Sequence, residues 1–211
     1  MKFGILAAGV AAVAVMVGAP ASAAVLFGFD PGAASPEPGY HVVNAFDVAT
    51  GITGSNFQIK VPPSDGNGAL PANSIPAGTP YLSVLGGGFA NVSLGGLFSA
   101  FQFDWGSIDT YNTLTIHGTA GDVVVVPGGN FPNQADGNQF AAGTNGVFTV
   151  VGTAGEKFTG ITLASGSNSF EIDNLAVAGG VPEPAAWTMM ILGFAAAGSL
   201  IRRRRAMAAT V

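Results

Sequence analysis

The chain has 211 residues, no cysteine, 32 glycines and a formal net charge of −5. The absence of cysteine excludes disulfides, thiolate metal sites and a cysteine nucleophile together. Lys2 and four arginines lie in the terminal segments, so residues 24–180 carry Lys60 and Lys157 against eleven acids, a net of −9, and such a surface repels nucleic acid and anionic headgroups.

The amino terminus has the parts of a targeting segment. Lys2 gives a charged start, residues 3–17 form an apolar run, and Ala21-Ser22-Ala23 places small residues at both specificity positions of a cleavage site. Residues 1–23 are therefore a secretory signal peptide, with the cut expected after Ala23. What remains, 24–180, is long enough for one core and one domain. Without disulfides, that core must hold the exported domain.

Within 24–180 the pattern is of short strands separated by turns. Strands are predicted over 25–30, 41–48, 56–61, 81–85, 90–94, 98–105, 113–118, 122–126, 147–151, 158–164 and 169–177. Several alternate with period two. In Phe101-Gln102-Phe103-Asp104-Trp105 the aromatics share one face, and in Thr113-Leu114-Thr115-Ile116-His117 the apolar pair does. The last strand changes parity, since Phe170 and Ile172 point one way and Leu175 and Val177 the other. One extra residue near Asp173-Asn174 restores both pairs to the core, which is a β-bulge. No stretch offers an uninterrupted helical stripe. The expected class is all-β, an antiparallel β-sandwich of jelly-roll-like form, flanked by the signal peptide and a C-terminal transmembrane helix. Two proline- and glycine-rich segments, 62–80 and 127–145, are too irregular for central strands and read as long loops, functional or disordered.

Candidate chemistry is sparse. The densest polar and aromatic stretch is 104–114, where Trp105 and Tyr111 could stack on sugar rings and Asp109 and Asn112 could bond their hydroxyls. A core aromatic followed by a well-specified turn explains the same residues. In Phe170-Glu171-Ile172-Asp173-Asn174, Asp173, together with Asp30 near the first strand, could supply oxygen ligands for a structural calcium. Two scattered acids do not define a site, and an exposed strand face is the plainer account. No other cofactor is called for. His117 sits on the polar face of its strand and reads as solvated. A glycoside hydrolase needs two facing carboxyls, and no feature of the sequence selects a pair, so the expectation is a non-enzymatic protein.

The carboxyl end is the most specific part. Pro182-Glu183-Pro184 precedes an uncharged apolar run, 185–201, and then Arg202, Arg203, Arg204 and Arg205. As a helix the run would span roughly 25 Å, slightly short of a ~30 Å hydrocarbon core, a deficit that snorkelling arginines and an interfacial Trp187 can absorb. The arginines place the C-terminus in the cytoplasm and the domain outside. Pro-Glu-Pro, Trp187, Met189-Met190-Ile191, Gly193-Phe194 and the arginine cluster, in this order over 181–206, resemble the PEP-CTERM sorting domain in its proteobacterial, Gram-negative form. The resemblance implies processing at Pro182, Glu183 and Pro184 by an exosortase, after transient anchoring in the inner membrane. It also implies a destination at the cell surface or in the exopolysaccharide of a biofilm matrix, with exopolysaccharide as a partner. The alternative class is a secreted hydrolase or lyase acting on that polysaccharide.

Overall fold

The computed structural model describes residues 24–127, 129, 135–180 and 194. The expected signal peptide with Ala21 and Ala23, the Pro-Glu-Pro motif, Trp187, the apolar run apart from Phe194, and Arg202 to Arg205 lie outside these residues. Among the described residues no helix is long and apolar enough to cross a membrane.

Among the described residues nine strands make up most of the domain: β1 (Ala24–Pro31), β2 (His41–Asn44), β3 (Ile52–Lys60), β4 (Tyr81–Gly106), β5 (Asn112–Gly118), β6 (Gly121–Val125), β7 (Gly146–Thr153), β8 (Phe158–Ser165) and β9 (Phe170–Gly180). Every pairing is antiparallel. The three strands predicted over 81–105 are one strand of 26 residues. The glycines between them read as turns, yet here they let the strand curve while both its edges stay paired. A Cβ on Gly88 would sit 2.5 Å from the carbonyl oxygen of Asn56, so only glycine admits β3 this closely.

β4 organises the architecture. Its first half lies between β3 and β8, with β5 and β6 beyond β8. Its second half lies between β7 and β9, with β1 outside β7 and β2 outside β9. The start of β9 touches both halves, Ile172 lying opposite Leu82 and opposite Trp105. The result is one nine-stranded sheet folded over on itself into a nearly closed barrel.

The inner face is apolar and continuous. Phe101, Phe103 and Trp105 of β4, Leu114 and Ile116 of β5, Phe148 and Val150 of β7, and Ile161 and Leu163 of β8 are all fully buried in one cluster. Each such side chain is worth about 2 kcal/mol of transfer free energy. The parity change in β9 is resolved as the sequence requires. Gln102 pairs with Ala176 and Asp104 with Asp173, so β9 spends one more residue than β4. Asn174 takes a φ of 49° at this bulge, and Phe170, Ile172, Leu175 and Val177 all reach the core.

The outer face of the β4–β9 region is also covered, which alternation alone does not predict. Gln102 and Asp104 point away from the aromatic core, yet are 0% and 1% exposed. The cover is made by residues 32–40 and by the long segment 62–80. The latter is an ordered strap, and a Cβ on Gly106 would meet Pro71 Cα at 2.6 Å.

Candidate functional site

β4 ends at Gly106, and residues 107–111 turn the chain into β5. Ile108 plugs the core with no exposed surface, and Asn112 holds the turn. Its Oδ1 accepts from the Asp109 amide (2.9 Å), and its Nδ2 donates to Ser169 O (3.2 Å) and Ser165 Oγ (3.3 Å). Asn145, 1% exposed, ties the same turn to the strap, its Oδ1 accepting from the amides of Ser107 (3.1 Å) and Ala72 (3.2 Å). So braced, Asp109 and Tyr111 project into a polar cleft of about 210 Å³, joined there by Ser107, Asn168 and Glu171, with Asp65 on the opposite wall.

That wall is a tight loop of the strap. Asp65 and Gly68 exchange backbone hydrogen bonds (3.1 and 3.2 Å), and Lys60 Nζ donates to both Asp65 oxygens (2.7 and 2.8 Å). Asn168 Nδ2 reaches Gly66 O (3.0 Å) and Asn67 Oδ1 (3.1 Å), closing the cleft from the β8–β9 side. A third wall comes from 135–139, held by Gly137 N on Ile108 O (3.0 Å).

Glu171 forms the floor at 2% exposure. Its Oε2 accepts from Ser107 Oγ (2.9 Å) and its Oε1 from the Ala69 amide (3.2 Å) and from Ser169 Oγ. Burial outweighs these bonds and pushes its carboxyl up, and the Asp109 charge adds to the effect. Asp109 is raised for the same first reason, with a Tyr111 hydrogen bond opposing and the Asp136 charge reinforcing. Tyr111 donates to Asn168 O (2.7 Å) and is itself raised, first by burial and then by its bond to Asp109 and the charges of Asp109 and Glu171. Behind the wall, the hydroxyl of Tyr81 is buried with no hydrogen-bond partner among the described residues. Burial holds its proton firmly, helped by the carboxylates of Glu171 and Asp65. The cleft is thus rich in acceptors, and two of its carboxyls, Asp109 and Glu171, keep protons more readily than solvated ones. It suits a ligand that offers and accepts several hydrogen bonds, such as a polyol.

The sequence candidates divide. Asp109 and Tyr111 line the cleft. Trp105 does not, because it is fully buried, stacked on Phe170 at 4.6 Å and edge-on to Phe148 at 5.4 Å. Asn112 is likewise fully buried and shapes the turn. Residues 170–174, expected as an exposed strand face, are buried on both faces because the strap lies over the outer one. Asp30 and Asp173 fall in one row across the sheet, Asp30–Val147–Asp104–Asp173, with β7 and β4 between them, so they do not meet. Among the described residues no three His, Cys, Asp or Glu side chains group as metal ligands. His117, expected to be solvated, has partners on both ring nitrogens, Asp122 Oδ1 (3.0 Å) and Thr162 Oγ1 (2.7 Å). Sequence reasoning missed Asp65 and Glu171 as cleft residues. An acid at Glu171 between two core residues of a strand is the one signal that pointed there.

The cleft opens at the start of β9, and the chain leaves the domain at the end of that strand. Ten residue steps at about 3.3 Å each put roughly 33 Å between Phe170 and Gly180. β1 begins at the same end as Gly180, since Ala24 pairs with Thr153, two rows beyond the Leu26–Val151–Ala100–Ala178 row. Both termini of the domain therefore lie at the pole opposite the cleft. The segment that follows carries the PEP-CTERM protein-sorting motif, matched over residues 180–205. No curated protein and no solved structure matches the chain.

Proposed function

We propose that this domain is a binding module of the cell surface or extracellular matrix, and that the cleft of Asp109, Tyr111 and Glu171 holds exopolysaccharide. The motif at 180–205 means export with a membrane-anchored C-terminal sorting signal, and makes an exosortase the processing enzyme. Anchoring would be transient, through a helix over 185–201, before release to the surface. In this reading the folded sheet around β4 serves as a jelly-roll-like scaffold.

The observation that carries the reading is the placement of the cleft. It is polar, braced on three sides, and at the pole away from the sorting segment, so it faces outward whether the chain is anchored or released. The test is binding of the exported protein to the producer's own exopolysaccharide and to a glycan array. Asp109→Asn and Tyr111→Phe should each weaken binding about tenfold, the worth of one to two polar contacts. Blank results with both probes would end the carbohydrate reading.

A second reading is favoured by one feature: Asp109 and Glu171 are two raised carboxyls lining a single cleft, the arrangement a glycoside hydrolase uses. It predicts that incubation with the polysaccharide releases reducing ends and that Glu171→Gln abolishes the release. Intact polymer after prolonged incubation would remove it.

A further inference from the structure

Asp104 and Asp173 are cross-strand partners on β4 and β9, project to the same outer face, and are 1% and 0% exposed. What buries them is the two covering segments, and the segments are bonded to them. Asp104 Oδ1 accepts from the Ser35 amide (2.7 Å), and its Oδ2 accepts from Ser74 Oγ (3.2 Å) and Asn174 Nδ2 (2.9 Å). Asn174 also donates to Ile75 O (3.0 Å) and accepts at its own carbonyl from Ser35 Oγ (2.8 Å). Asp173 Oδ2 lies 3.3 Å from Thr79 Oγ1.

Asp173 Oδ1 accepts from the Asn174 amide (2.7 Å), and Thr79 Oγ1 divides its one proton between Pro76 O (2.9 Å) and Asp173 Oδ2 (3.3 Å). Among the described residues no positive charge is placed against the pair. Lys60 is on Asp65, His117 on Asp122, His41 against Phe98, and Lys157 at the turn after β7. The other titratable groups facing the pair are acids: Glu37 on the first covering segment, bonded through the Gln102 amide at 3.1 Å, and Asp30 beyond Val147. Two adjacent buried carboxylates without a counter-charge repel each other, so one proton is the economical way to hold them together.

We infer that Asp104 and Asp173 form a proton-operated latch, which clamps residues 32–40 and 62–80 onto the outer face when the pair holds a proton and loosens them when both carboxyls are ionised. The far part of the strap, Ser74 to Thr79, is the latched part, and its near part, Asp65 to Gly68, is a wall of the cleft. Opening the latch therefore loosens the cleft. This last consequence rests on the binding reading, while the latch itself does not.

Both carboxyls are displaced upward, Asp104 to about 6 and Asp173 to about 7, chiefly by burial, so the switch falls between mildly acidic and mildly alkaline medium. The test is amide hydrogen exchange on the exported protein, compared at about pH 5 and about pH 8 after correction for the intrinsic rate. Peptides covering 32–40 and 62–80 should lose about tenfold or more of their protection at the higher pH, while β5 and β8 keep theirs. Asp173→Asn, which carries a permanent donor, should hold the strap protected at both pH values. If that variant does not fold, Asp104→Asn serves in its place. Equal strap protection at both pH values in the unmodified protein overturns the latch, as does a pH-dependent loss that persists unchanged in the Asn variant. Restoration of protection by calcium at the higher pH would make the pair a cation site and overturn it too. No sugar enters the experiment, so a failure of polysaccharide binding leaves the outcome untouched.

Discussion

Replacing Trp105 with alanine separates the two roles that the sequence left open for it. The indole is fully buried, stacked on Phe170 at 4.6 Å, edge-on to Phe148 at 5.4 Å and tilted against Phe103 at 6.0 Å. Truncating a buried aromatic costs about 3–5 kcal/mol, part of it from the cavity left behind, and each lost ring pair is worth about 1 kcal/mol of that total. Against a usual domain stability of about 5–15 kcal/mol, the variant should be folded but marginal. With a urea m-value of about 2 kcal/mol/M, a loss near 4 kcal/mol lowers the unfolding midpoint by about 2 M. Circular dichroism is the right probe, because the substitution removes the domain's own tryptophan. Trp105→Phe keeps a ring against Phe170 and should recover more than half of the loss. Under native conditions both variants should bind ligand as the parent does. A Trp105→Ala protein with an unshifted midpoint and lost glycan binding would refute the core assignment and restore the stacking platform.

Stability should fall as pH rises. Asp104 and Asp173 have folded-state values of about 6 and about 7, above the 3.8 of a free aspartate, so the native state binds more protons than the unfolded one between those limits. Their contribution is complete below about pH 4 and is lost as pH passes through 6 to 7, a change of about 3 kcal/mol for one retained proton. Thermal unfolding should therefore show a lower Tm at pH 8 than at pH 5, and a rising Tm would contradict the assignment. Gly106→Ala pushes a Cβ to 2.6 Å from Pro71 Cα. Since backbone cannot yield cheaply, a loss of about 1–3 kcal/mol in chemical denaturation is expected. Glu183→Ala should abolish processing, so that the intact mass from the native host retains the residues after Pro184 and the protein stays with the inner membrane. Normal release of that variant would show that the Pro-Glu-Pro site is not what the exosortase reads.

Much of this protein is set by its sequence alone. Short bursts of strand-forming residues between turns located nearly every strand, and alternation with period two showed which face is buried for Phe101, Phe103 and Trp105 and for Leu114 and Ile116. The parity break between Ile172 and Leu175 located the bulge, since side-chain period admits no other way to return both pairs to the core. The sorting segment was legible because its recognition is linear. What alternation does not encode is what covers the second face. The burial of Gln102, Asp104 and Asp173, the strap's path over them and the joining of three predicted strands into β4 depend on contacts between residues many tens of positions apart. The cleft divides along the same line. Asp109 and Tyr111 come from one turn and stood out together, whereas Asp65 and Glu171 are brought to them by the strap and by β9. Trp105 took the other course, because the second half of β4 lies between β7 and β9, where its ring meets Phe148 and Phe170. Local alternation fixes which way a side chain points along its own strand; only the packing of distant segments decides whether that direction leads to solvent, to a cleft or to the core.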